Sequence, residues 1–249
     1  MAINVLVVNS HSGGDRVWRH LDANWMNYGT TKLSLTITNR LSYDLLCGKM
    51  PDVVVCGDTA GSPYQFTHDE FEAIERYMRQ GVGHHLLGTY ALFFHEEGNL
   101  QRRHQYDNRR LARLFGINPR LAMTTQRLPG KPEFRVLSPG SILWKNVPAL
   151  YRSNGYESTQ IPTTHRWTDD ALASTPDSFT QIVAHTEDDR CVIVNHVEPT
   201  FSSLYISTMP EYESLTNTFV DCQFLYNAFC FLVNQSRFPS SHRQMSTSP

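Results

Sequence analysis

Apolar positions in the first half of the chain fall into short solid runs, separated by stretches of helical spacing. Ile3–Val8 gathers Ile, Val and Leu around a single Asn4, as expected of a strand buried on both faces. Past the polar turn Asn9–Gly14, the segment Arg16–Asn27 spaces Val17, Trp18, Leu21 and Trp25 as a helix does. Leu33–Ile37 interleaves Leu33, Leu35 and Ile37 with polar residues, which predicts a second strand, and Asp52–Cys56 is a third, solid run. Thr67-His68-Asp69-Glu70 supplies an N-cap and the glutamate that completes a capping box. Phe71, Ile74, Tyr77 and Met78 then mark one face of a helix ending before Gly81-Val82-Gly83. His84–Leu87 reads as the fourth strand and Gly88-Thr89-Tyr90 as the turn after it. This βαβαβαβ order predicts an α/β fold: a flavodoxin-like three-layer sandwich with a mostly parallel sheet.

The second half is less regular. Asn108–Phe115 predicts a basic helix with Arg109, Arg110 and Arg113 on a solvated face. Gly116–Arg152, broken by Pro119, Pro129, Pro132, Pro139 and Pro148, reads as loops with short strands. Phe179–His185 and Cys191–His196 flank Glu187-Asp188-Asp189-Arg190 as a small antiparallel hairpin. Leu204–Thr208 adds one more strand, and Val220–Val233 is a helix with a broad apolar face. Ser236–Pro249, rich in Ser and Pro, reads as a disordered tail. No internal repeat appears, so a single domain over 1–235 is expected.

Composition narrows the function classes. Lys plus Arg number 22 against 24 for Asp plus Glu, a balance that argues against a nucleic-acid partner bound by backbone neutralisation. No apolar run approaches the roughly 20 residues that span a bilayer. Met1–Val8 lacks the basic start of a signal peptide, so a cytoplasmic protein with no membrane partner is expected. The five cysteines form no CxxC pair, and they read as buried free thiols in a reducing compartment.

In an open parallel sheet, ligands collect at the carboxyl ends of the strands, where the strand order reverses. The residues expected there are Asn9 and His11 after the first strand, then Gly57, Asp58 and Thr59 after the third. Gly88, Thr89 and Tyr90 follow from the fourth strand, and Met209, Pro210 and Glu211 from the last. Each has a plainer reading: His11 as part of a polar turn, Asp58 as an Asx-turn residue. His84 and His85 alternate across a strand and point to opposite faces, which rules out a shared metal. His95-Glu96-Glu97 diverge in the same way, so no metal is expected. His196-Val197-Glu198 has the spacing of a base and its orienting carboxylate, with a structural role the simpler reading.

The strand Asp52–Cys56, the helix Phe71–Arg79 and the stretch Gly81-Val82-Gly83-His84-His85-Leu86-Leu87-Gly88-Thr89-Tyr90-Ala91 together resemble the class I glutamine amidotransferase-like superfamily. The trehalose-utilisation-type branch, which has no catalytic cysteine, is the closer match. Leu204–Tyr212 is similar to the family's closing strand and its H-P-E motif, and Val220–Val233 to its final helix. The resemblance covers roughly residues 1–115 and 180–235. It implies that the elbow, a G-x-C-x-G turn in the family, falls at Tyr90, with Leu92 in place of the second glycine. Met209 stands where the family has its base histidine, and Glu211 is retained. Glutamine hydrolysis through a thioester needs a thiolate and a base. A phenol of pKa near 10 and a thioether supply neither. Using His196 and Glu198 as base and orienter instead still leaves the elbow without a thiol.

Three functions stay open. One is a non-catalytic relative that binds a small molecule or a partner protein through Asn9, His11, Asp58, Thr59, Gly88, Thr89, Tyr90 and Glu211. Another is a hydrolase-type enzyme of different chemistry using Tyr90, His11, Asp58 and Glu211. The third is a structural or assembly subunit with its crevice filled. No cofactor is expected, and association into a homo-oligomer is compatible with all three.

Overall fold

The structure is a computed structural model that describes residues 2–8, 15–57, 66–81, 83–90, 108–153, 157–173, 175–212 and 219–235. Its strands are β1 (Ala2–Val8), β2 (Lys32–Thr38), β3 (Val53–Cys56), β4 (His84–Thr89), β5 (Met123–Arg127), β6 (Glu133–Val136), β7 (Leu150–Arg152), β8 (Ser158–Pro162), β9 (Phe179–His185), β10 (Val192–Val197) and β11 (Phe201–Ile206). The helices are α1 (Asp15–Asn24), α2 (Tyr43–Lys49), α3 (His68–Gln80) and α4 (Phe219–Gln235). Nine strands make one sheet in the order β2-β1-β3-β4-β11-β10-β9-β6-β7, and β5 pairs with β8 apart from it. The strands from β2 to β11 are parallel, β1 and β3 being direct neighbours as the solid apolar runs imply. From β11 to β7 every pairing is antiparallel. The expected hairpin of β9 and β10 is therefore the centre of an antiparallel wing and not a small appendage.

Alternation along β1 divides the core. Ile3, Val5 and Val7 join Val17, Trp18 and Leu21 of α1 and the apolar residues of α4. Leu6 and Val8 join Leu46 of α2, Phe71, Ile74 and Met78 of α3, and Leu111–Phe115. The capping box at Thr67 and Glu70 is formed, and the buried Glu70 also accepts from Leu41 N at 2.9 Å.

Several expectations are corrected. Helix α2 carries too few apolar residues in its seven positions to show a helical period; Ser42 caps it by accepting from Leu45 N at 3.1 Å. Asn108–Phe115 is a 3-10 helix, with Arg110 and Arg113 exposed. Gly88 and Thr89 continue β4, paired with Tyr205 and Ile206, so the turn begins at Tyr90. The last strand starts at Phe201 and ends at Ile206. Its serines look like loop residues, yet each is buried with a bond: Ser202 to His85 Nδ1 at 2.8 Å, and Ser203 donating to Leu114 O at 2.6 Å. Strand β8 escaped notice for the same reason, because its Thr159 and Gln160 are polar and fully buried. Four cysteines are buried as expected, but Cys47 is exposed on α2.

The wing curls. Four strand steps separate β7 from β11, which is about 19 Å in a flat sheet. Yet Tyr151 of β7 stacks on Phe224 of α4 at 4.6 Å, while α4 itself packs against β11 and β4. Tyr151 also donates to Asp221 Oδ1 at 2.5 Å, and both residues are buried. Burial, with Asp221 alongside, pushes the Tyr151 phenol well above its ordinary pKa, which keeps it a donor. Tyr151→Phe keeps the stack and deletes that donor from a buried carboxylate. It is expected to lower stability by about 1–3 kcal/mol, read as an earlier urea midpoint with an unchanged slope.

Candidate functional site

The strand order reverses at β1, which sends the chain first outward to β2 and then back across to β3. The carboxyl ends on that side of the sheet do converge. A Cβ placed on Gly57, just after β3, would lie 3.5 Å from Glu211 Oε1, 3.9 Å from Thr89 Oγ1 and 3.9 Å from Val8 O. The ends of β1, β3 and β4 and the segment after β11 thus meet around one glycine. Thr89 Oγ1 donates to Glu211 Oε1. Glu211 is only 4% exposed, a burial that a carboxylate tolerates only when hydrogen-bonded.

Tyr90 follows directly, with φ of +47°. Its N–H points back to the sheet, toward Ile206 O at 2.8 Å and Thr208 O at 3.0 Å. Its carbonyl accepts from Tyr205 Oη at 2.7 Å. The elbow implied at Tyr90 is a left-handed turn, and it keeps the ring in, with Tyr90 7% exposed. Met209 is buried, and its carbonyl accepts from Tyr212 N at 3.1 Å.

Not every expected residue can be placed. Asn9, His11, Asp58, Thr59 and the run His95-Glu96-Glu97 lie outside the described residues. Gly57, Gly88, Thr89, Tyr90 and Glu211 are the expected members that the structure brings together. It adds residues the sequence did not single out. Tyr205 reads as one more apolar strand position, and Gln160 sits in the unrecognised β8. Asp221 left a usable signal, since it is an acidic residue inside the otherwise apolar opening of α4.

The other histidines belong elsewhere. Phe201 pairs with His84, so the β10–β11 turn lies at the amino ends of the parallel strands, away from Glu211. There His196 meets Thr180 Oγ1 at 2.8 Å and Glu198 Oε1 at 3.3 Å. Arg79 Nη1 reaches Glu198 at 3.0 Å; the His196 bond first, and Arg79 after it, hold this carboxyl below its usual range. Gly116, at φ +64°, covers the cluster so closely that a Cβ would stand 2.5 Å from His196 Nδ1. The Nδ1 side of the ring is packed closed, and each partner of this pair is a residue of the sheet's amino end or of α3. His84 stacks on Tyr77 at 4.1 Å while His85 turns to Ser202, on opposite faces as alternation requires. Among the described residues no three His, Cys, Asp or Glu side chains gather at metal-binding range.

The chain matches no protein-family model and no curated protein. In fold it is similar to the cytoplasmic protein STM3548 from Salmonella typhimurium, with a TM-score of 0.53 and 11% identity over 93% of this chain and 99% of that one. At that identity the likeness concerns the fold alone. None of the helices, among the described residues, is long and apolar enough to cross a membrane.

Burial, with His84 beside it, pushes His85 from 6.5 down to about 4. The unfolded chain then binds the extra proton between those values, so folding weakens as pH falls through that window. We expect a loss on the order of 3 kcal/mol from pH 6.5 to 4, measured by urea melts across that range. His85→Gln is expected to flatten the slope.

Proposed function

We propose that this chain is an amidotransferase-like protein layered like flavodoxin, whose crevice at the strand carboxyl ends binds a small molecule without hydrolysing glutamine. The observation that carries the reading is the buried Glu211, held by Thr89 beside the bare backbone of Gly57. A fixed carboxylate with no side chain at position 57 suits a ligand that donates hydrogen bonds, such as an amide, amine or hydroxyl. The switch point of an open α/β sheet is where such ligands lodge.

Glutaminase chemistry lacks its parts. Tyr90 occupies the elbow, and the nearest strand-end thiol, Cys56, is fully buried on β3. Burial, with Glu70 nearby, raises that thiol to about 12, the opposite of what a nucleophile needs. Burial likewise raises Cys191 to about 12 and Cys222 to about 11. A cytoplasmic setting accords with these free buried thiols.

One observation favours a second reading, a structural subunit: the Tyr90 ring is buried and not displayed. Thermal-shift screening with small amides, amines and polyols separates the two. Binding in the crevice predicts a stabilising compound whose affinity falls about tenfold or more in Glu211→Gln. Stabilisation that survives this change unaltered, or no hit in any class, rejects the crevice reading. Incubation with glutamine is expected to release no ammonia, and turnover abolished by Tyr90→Phe would overturn that.

A further inference from the structure

Five described residues other than glycine have positive φ: Met50, Tyr90, Asn146, His165 and Asp189. Asn, His and Asp tolerate this region better than other types. Met50 closes helix α2, its N–H on Leu46 O at 2.8 Å, where a left-handed residue is the usual ending. Tyr90 has neither excuse, so its surroundings must hold it in place.

They hold both sides of the residue. The Tyr90 N–H is shared between two carbonyls of the segment that leads to Glu211, at 2.8 and 3.0 Å. On the other side, Tyr205 Oη lies 2.7 Å from Tyr90 O and 3.1 Å from the side-chain amide of Gln160. A phenol has one hydrogen. The shorter contact, to a carbonyl that can only accept, takes it. Gln160 Oε1 stands at the longer contact; exchanging the amide's near-identical O and N places its NH2 against the phenol oxygen, which can accept. Gln160 is itself fixed, with its N–H on Ser207 O at 2.9 Å and its carbonyl receiving Trp167 Nε1 at 3.3 Å. Burial pushes the Tyr205 phenol well above its ordinary pKa, so it stays a donor.

We propose that Tyr205 is a positioning residue, whose hydroxyl, braced by Gln160, locks the Tyr90 carbonyl and sets the left-handed elbow beside Glu211. The purpose of the lock rests on the proposed crevice, but its test needs no ligand. Native-state amide exchange, resolved by residue, compares position 90 with Leu87 on the same strand. In Tyr205→Phe, exchange at 90 is expected to rise about tenfold relative to Leu87. Gln160→Met shifts the ratio the same way by less, and carries the comparison if Tyr205→Phe is too unstable to purify. In a Tyr90→Gly background the selective effect disappears, because glycine adopts positive φ freely. An unchanged ratio, equal acceleration at both positions, or the same selective acceleration in the glycine background overturns the proposal. None of these outcomes bears on whether Glu211 binds a ligand.

Discussion

The bond from Thr89 to Glu211 joins the end of β4 to the segment that leaves β11, and much of the carboxyl face is arranged to permit it. Strands β1, β3 and β4 are buried nearly throughout, so they offer few polar groups until they end. A carboxylate brought to that edge needs a donor on a strand, and here it also has a close neighbour. Thr89 is the donor and Gly57 the neighbour, 3.5 Å from the acid at its Cβ position. The turn after Ile206 must then bring residues 207–211 back over β3 and β4. The Tyr90 N–H fastens that turn by bonding to both Ile206 O and Thr208 O.

How much of this was legible in the sequence follows from how each element is stabilised. Strands β1 and β3 and helix α3 announced themselves, because apolar burial and a capping box leave a local pattern. The opening half of the final strand, Phe201–Ser203, and β8 did not. Ser202, Ser203, Thr159 and Gln160 are buried polar residues whose partners lie far along the chain, such as Leu114 for Ser203 and Ser207 for Thr159. No local rule sees a hydrogen bond across 89 residues. The strand-end rule brought Gly57, Thr89, Tyr90 and Glu211 to one edge from strand order alone. Which residue bonds to which was beyond it: Thr89 ends the strand and Tyr90 opens the turn, and their partners depend on the path after β11.

Polar clusters at the two ends of the sheet look alike on paper and differ in packing. At the amino end, His196, Thr180, Glu198 and Arg79 form a chain of bonds with the geometry of acid–base chemistry. Gly116 lies on it with no room even for a methyl group. At the carboxyl end, the equivalent methyl group on Gly57 would sit at ordinary van der Waals distance from its nearest neighbours among the described residues, Glu211, Thr89 and Val8. Hydrogen-bond distances alone do not separate the two ends; the tighter packing at Gly116 and the strand-order reversal near Gly57 do.

The likeness to the Salmonella protein shows how loosely such a sheet constrains its sequence. At 11% identity over nearly the full length of both chains, few residues are the same, yet the fold persists. Cores accept many combinations of apolar residues if volume and pattern are kept. A site has no such freedom, since a carboxylate, a hydroxyl and a bare glycine cannot be exchanged for residues of similar size. A shared fold therefore transmits the crevice and not its chemistry. The elbow illustrates this: Tyr90 occupies a left-handed turn of the kind that presents a cysteine in the amidotransferase pattern, and a buried phenol bonded back into the sheet cannot replace a thiolate. The left-handed backbone at position 90 is held by the carbonyls of Ile206 and Thr208 and by the Tyr205 hydroxyl, none of which depend on the side chain there.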